Sequence, residues 1–242
     1  MAQSARPGVF ITFEGGEGAG KTTHISFLAD ALRSQGAEVL RVREPGGTAA
    51  GEALRAIVLD AGSEGLSDQS ELLIFEAARA QLVREQIAPA LERGAVVLCD
   101  RFCDSTLAYQ GYGRGLSLDF IRAANEFACQ GVYPQRTVLM RASDCAQVGL
   151  QRATRHSADR MECQGDAFHA NVNRGFDEIA ASCPERIRVV DSSQPKPQTA
   201  RCVFSCLADL FGWDPENLPF DDAFFDGVES YHGKRPNERQ DQ

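Results

Sequence analysis

The sequence predicts an α/β fold in three layers, with a five-stranded parallel sheet flanked by helices on both faces. Three observations lead there. Short β-rich apolar runs alternate with longer segments of helical period, the signature of repeated βαβ units. The runs are rich in apolar residues, as strands covered on both faces require. The first of them passes directly into a glycine-rich turn and then a helix.

The expected strands are Val9–Glu14, Glu38–Arg43, Ala95–Asp100, Arg136–Met140 and Arg186–Asp191. Between the first two, Ile25, Leu28, Ala29 and Leu32 recur at i, i+3, i+4 and i+7, the stripe of an amphipathic helix. The segment from Ser67 to Arg93 is long enough for a helix of about seven turns, and Pro89 should kink or divide its last part. A further stripe, Ala200, Val203, Phe204, Leu207, Ala208 and Phe211, has Pro197 near its start and Gly212 just past its end. These elements define one domain over residues 8–212. Residues 213–242 read as an acidic tail, with eight acids against three bases after Trp213. The tail has no sustained period, its Phe220, Phe224 and Phe225 are candidates to dock on the domain, and its last ten residues are expected to be mobile.

Composition narrows the function. The 242 residues, 43% hydrophobic, can bury a sizeable core. The apolar runs fall well short of the roughly 18–20 residues a membrane span needs. MAQSARPGVF lacks the apolar stretch of a secretory signal, so a cytoplasmic protein is expected. A net charge of −9 argues against non-specific binding to nucleic acid. The eight cysteines contain no CxxC pair and the four histidines no HxxxH pair, so buried free thiols are expected rather than disulfides or zinc.

The chemistry starts at FEGGEGAGKTT. Gly15, Gly16, Glu17, Gly18, Ala19, Gly20, Lys21 and Thr22, continued by Thr23, contain GxxxxGK[ST], a phosphate-binding loop. Its glycines let backbone N–H groups close around phosphate oxygens, and the following helix turns its positive end toward them. Lys21 brings a charge to the β- and γ-phosphates of ATP, and the Thr22 hydroxyl is a ligand for Mg²⁺. AVVLCDR places Asp100 at the end of a strand, where it would hold the same metal. Arg101 beside it predicts a second phosphate group in the site. Three further arginines, Arg152, Arg155 and Arg160, lie in a polar segment after the fourth strand. No guanine-reading NKxD element accompanies the loop, which argues against a GTPase. Two phosphate cradles and a basic segment are what a nucleoside monophosphate kinase needs. The rivals are a kinase for another acceptor, such as dUMP or a deoxynucleoside, and an ATPase switch that needs no acceptor.

At this point the chain resembles the thymidylate kinases of the P-loop nucleoside monophosphate kinase family. The likeness covers most of residues 8–211 and is carried by FEGGEGAGKTT, REPGGT, LLIFEAARAQLV, DR followed by STLAYQG, and DRME, in family order. The resemblance implies transfer of a phosphoryl group from ATP to dTMP, a lid over about residues 152–164, and a homodimer. It implies that Phe75 stacks on the pyrimidine, that Arg79 hydrogen-bonds its O4, and that Thr106 and Gln110 meet the base edge. Tyr109 would crowd the sugar's 2′ position. Arg101, with Arg55 and Arg43, would hold the acceptor phosphate, and Pro45 matches a proline that is cis in relatives. Glu17 would bind the acceptor's 3′-hydroxyl or order metal-bound water. Gly18 stands where eukaryotic relatives carry arginine, so the bacterial arrangement is implied, with Arg155 nearest the transferred group, Arg160 close behind and Arg152 on ATP. After DRME the family's paired aromatics and Gly-Tyr are replaced by CQGDAFHANVNRGF, where the helix should survive but a phenol contact is lost.

Overall fold

The computed structural model describes residues 8–63, 65–142 and 159–231. Five strands form one sheet: β1 (Val9–Glu14), β2 (Val39–Arg43), β3 (Val96–Asp100), β4 (Arg136–Arg141) and β5 (Ile187–Asp191). Their order is β2-β3-β1-β4-β5, all parallel. Each expected strand is present to within one residue at either end.

Burial on both faces follows from the side-chain alternation of a strand. Ile11 and Phe13 of β1, with Val96 and Leu98 of β3, enter one core layer. Phe10, with Val97 and Cys99, enters the other. The first layer is closed by helix α1 (Lys21–Ser34) and by a helix over Lys196–Phe211. The second is closed by the helical stretch that begins with α3 (Asp68–Leu82), α2 being Ala49–Leu59.

That stretch is not one uninterrupted α-helix. A π-helical turn, Val83–Ile87, separates α3 from α4 (Ala88–Glu92), where Pro89 occupies the first turn. The Ala88 N–H still donates to the Val83 carbonyl, so the helical run is continuous, and the wide turn falls directly before the proline, whose ring and missing N–H would disturb a regular α-helical turn. A second π-helical segment, Leu107–Gly113, continues the short α5 (Cys103–Thr106) and leads to α6 (Leu118–Cys129). Helix α7 (Asp166–Ser182) forms despite the unusual sequence after DRME. Helix α8 (Lys196–Phe211) ends at Gly212 in the left-handed conformation, φ 70°.

The segment after Trp213 folds onto the domain. It contains a short helix, α9 (Asp222–Asp226), and a 3₁₀ turn, Gly227–Ser230. Phe225 and Val228 are fully buried against α1 and α8. Phe27 of α1 and Phe204 of α8 lie at the centre of this aromatic cluster, with ring centroids 4.7 Å from Phe224 and 5.3 Å from Phe225 respectively. The Tyr231 hydroxyl donates to Asp30 of α1 at 2.9 Å. The last ten residues lie outside the described ones.

The seven described cysteines are free. Cys99, Cys103 and Cys129 are buried as expected, but Cys163, Cys183 and Cys202 are exposed. Cys202 shows why: the buried stripe of α8 runs through Ala200, Val203, Phe204 and Leu207, which leaves position 202 on the solvent face. No helix among the described residues is long and apolar enough to cross a membrane.

Candidate active site

Parallel sheets place their ligands at the carboxyl ends of the strands, and the site lies there. The loop after β1 turns sharply at Gly15, φ 129°, where any Cβ would come within 2.2 Å of the Met140 carbonyl oxygen. Gly20 caps α1 in the left-handed conformation, φ 85°. Glycine is the residue that adopts both without strain. Lys21 opens α1 and folds back over the loop, its Nζ donating to the carbonyls of Gly15 and Gly16 at 3.0 and 2.8 Å. Burial and the neighbouring Arg101 hold the Lys21 ammonium below its usual range.

Thr22 donates its hydroxyl to Asp100 Oδ2 at 3.0 Å, across two elements that only the sheet brings together. An alcohol and a carboxylate suit a hard cation such as Mg²⁺, which takes few protein ligands and completes its shell with water and phosphate oxygens. The expected pair fits the ion. Among the described residues no cluster of three or more metal-ligating side chains offers a competing site.

Arg101 has a left-handed backbone, φ 70°, in a chain where only Gln130 shares that feature among described non-glycine residues. Its guanidinium donates to the Gly15 carbonyl at 3.1 Å and Ser105 Oγ at 3.3 Å, pairs with Glu17, and lies 5.1 Å from the Tyr109 ring centroid. Glu17 is thereby no liability beside phosphates. Burial alone would raise its carboxyl, but Arg101 and Lys21 outweigh that and hold it below the usual range.

One cleft of about 520 Å³ connects these groups to the expected acceptor site. It is lined by residues 17–23 of the loop and by Asp100 and Arg101, and equally by Arg43, Pro45, Arg55, Phe75, Arg79, Thr106, Tyr109 and Gln110. The Glu44–Pro45 peptide is cis. Arg43 and Arg55 both donate to the Pro45 carbonyl, at 2.8 and 2.9 Å. Phe75 and Arg79 face the cleft together, as their spacing on α3 requires.

Two of the expected site residues are engaged by partners within the protein. Arg79 is 1% exposed and every one of its N–H groups is engaged. Nε donates to Glu44, Nη1 to Glu76 and Asn125, and Nη2 to Glu44 and to Thr106 Oγ1 at 2.8 Å. A direct bond to a base O4 would require Arg79 to share or exchange one of these partners. Thr106, which accepts from Arg79, retains its own hydroxyl hydrogen for a ligand. Arg160 is the second. It does not line the cleft but turns inward, Nε donating to the Val58 carbonyl at 2.9 Å and Nη2 to Glu71 at 2.5 Å. The cause is local: Asp159 Oδ1 accepts from the N–H groups of Met161 and Glu162, both at 2.9 Å, in a tight turn. Asp159, Met161 and Glu162 face the cleft and Arg160 lies on the opposite side. Arg152 and Arg155 lie outside the described residues.

The family comparison agrees with this geometry. Residues 13–202 match the thymidylate kinase family model. The chain belongs to the thymidylate kinase family. A thymidylate kinase of Pseudomonas fluorescens is 48% identical over 204 residues, 84% of this chain and 96% of that protein. One from Desulfovibrio desulfuricans is 46% identical over 195 residues, covering 77% and 89%. Among solved structures, the thymidylate kinase of Ehrlichia chaffeensis superposes with a TM-score of 0.64 at 35% identity, over 78% of this chain and 90% of that one. The family match ends before the docked segment that follows Trp213.

Some residues of this thymidylate kinase site carried no sequence signal. Glu14 is fully buried and accepts from Phe102 N at 2.8 Å, Ser105 N at 3.2 Å and Ser105 Oγ at 2.5 Å. It thus caps α5 from a different strand and supports the turn that carries Arg101. Glu71 is equally hidden, beneath Gln110. Acids inside apolar helical or strand patterns look like periodicity errors until the fold supplies their partners.

Proposed function

We propose that the chain transfers the γ-phosphoryl group of ATP to the phosphate of dTMP, giving ADP and dTDP. The observation that carries this reading is the single cleft lined at one end by the phosphate loop and at the other by Phe75, Tyr109 and Gln110, with Arg101 between them.

In this reading the loop N–H groups and Lys21 bind the ATP phosphates, Lys21 exchanging its carbonyl partners for phosphate oxygens. Arg101, Arg55 and Arg43 hold the acceptor phosphate, and Glu17 orients Arg101 while facing the acceptor's sugar. Phe75 stacks on the base, and the buried Tyr109 fills the space a 2′-hydroxyl would need. Thr22 and Asp100 would hold Mg²⁺, which neutralises phosphate charge when bound. The acceptor is already an anion, so no protein nucleophile is required. Catalysis rests on alignment and charge stabilisation in a partly closed site.

A cytoplasmic setting is part of this proposal and is supported by the free thiols of the described residues. A homodimer is supported by Leu73 on α3 and by Phe120 and Phe127 on α6, large apolar side chains left exposed on two helices that pack together. Sedimentation at several concentrations tests it.

The deciding experiment is an acceptor panel with ATP and Mg²⁺. Rapid phosphorylation of dTMP is expected, and of cytidine or purine monophosphates far less. ATP turnover that ignores every acceptor would overturn the assignment in favour of an ATPase.

A further inference from the structure

Glu71 does not line the cleft, yet three groups converge on it. Gln110 donates from Nε2 to Glu71 Oε1 at 2.8 Å. Arg114 donates to both of its oxygens, at 3.2 and 2.9 Å, and Arg160 donates to Oε2 at 2.5 Å. Burial works to raise this carboxyl, but the hydrogen bonds from Arg114, Gln110 and Arg160 outweigh it and keep it ionised below the usual range.

An ionised carboxylate only accepts hydrogen bonds. Gln110 must therefore present its NH₂ to Glu71, and the opposite end of its amide, the carbonyl oxygen, is the group left for a ligand in the cleft. A side-chain amide is nearly symmetric in shape, so its orientation is decided by such partners. Thr106 is less constrained. Its oxygen accepts from Arg79, and its hydroxyl hydrogen remains able to donate. The cleft thus offers a fixed carbonyl acceptor at Gln110 and, four residues before it on one helical stretch, a hydroxyl whose hydrogen can donate. Thymine and uracil present the complement, an imide N3–H beside the O4 carbonyl. Cytosine presents the reverse, an unprotonated N3 beside an amino group.

We infer that Glu71 is a positioning residue that fixes the hydrogen-bonding polarity of the acceptor-base pocket through Gln110, and so selects an imide base over cytosine. This rests on the acceptor-site reading above. With Glu71 replaced by glutamine, the residue at 71 can donate as well as accept, and the Gln110 amide is free to turn. A site that leaves a buried polar group unpaired discriminates strongly, and one whose amide can turn does not.

The test measures kcat/KM for dTMP, dUMP and dCMP, with ATP and Mg²⁺, in the unaltered chain, in Glu71→Gln and in Arg114→Met. Failure of the unaltered chain on dTMP would defeat the functional reading itself. Given activity there, Glu71→Gln is expected to lower the dTMP-to-dCMP ratio by about tenfold or more, with the dTMP-to-dUMP ratio and the KM for ATP held. Arg114→Met removes a different partner of Glu71, keeps the Gln110 contact, and should keep the ratio. These ratios do not depend on how much of a variant is folded. Where Glu71→Gln alone does not fold, the charge-balanced pair Glu71→Gln with Arg114→Met carries the same test. An unchanged dTMP-to-dCMP ratio, or an equal loss in Arg114→Met, means that Glu71 is merely structural and sinks the inference.

Discussion

Glu17 and Arg101 form an ion pair that joins the phosphate loop after β1 to the turn after β3. The contact places a cation between the two ends of the cleft and compensates an acid inside an anion-binding loop. Arg101 also touches the Gly15 carbonyl, so loop and turn are held at two points.

Removing that cation tests the division of labour. Arg101→Ala is expected to lower kcat/KM for dTMP by about 100-fold or more, with the KM for ATP changed far less. Lys21→Ala should be equally severe in kcat. Steady-state kinetics with each substrate varied in turn checks both, and near-normal turnover in either variant would defeat the roles given to them.

Arg79 predicts a stability effect. Its replacement by methionine leaves Glu44 and Glu76 buried without their cation, since all three side chains are almost wholly enclosed. Breaking a buried pair by removing one partner costs about 3–5 kcal/mol. For a chain of this size that is a fall in Tm of about 10 °C, readable by calorimetry. Unchanged thermal stability would show that the five-donor network is energetically idle.

Glu14 predicts a pH dependence of folding. Burial, reinforced by Asp104, pushes its carboxyl up to about 7 from 4.5. The folded chain therefore binds this proton more tightly than the unfolded chain, and stability falls as pH rises from about 4.5 to about 7. The full shift corresponds to at most about 3 kcal/mol. Urea denaturation at pH 5 and pH 8 checks it. The gap between the unaltered chain and Glu14→Gln should move in the variant's favour at pH 8, and a gap independent of pH would count against the assignment.

The docked terminal segment predicts a cost for its truncation. Phe225 is fully buried among Phe27, Phe204, Phe220 and Phe224. Phe225→Ala should destabilise the domain by about 3–5 kcal/mol. Stopping the chain after Gly212 should do at least as much, by exposing Phe204 and Phe27. A truncated chain with an unaltered melting curve would mean that the segment is an ornament on an independent domain.

By itself the sequence determined the strands, the phosphate loop and the stop of α8 at Gly212, because each is written in short-range periodicity or spacing, whereas the residues at the acceptor end of the cleft were legible only through the likeness to thymidylate kinases. The cysteines and the long helix were only partly legible: exposure of Cys202 follows from its place on α8, but the π-helical turn at Val83–Ile87 has no local signature. Only the tertiary structure decided which charges meet. Ser105 reaches Glu14 across 91 positions, and Arg160 reaches Glu71 across 89. A buried ion takes whatever partner the packed elements bring to it, since leaving it unpaired costs more than any local preference can offset. That is why DRME could be located from its pattern, while the inward turn of its arginine could not.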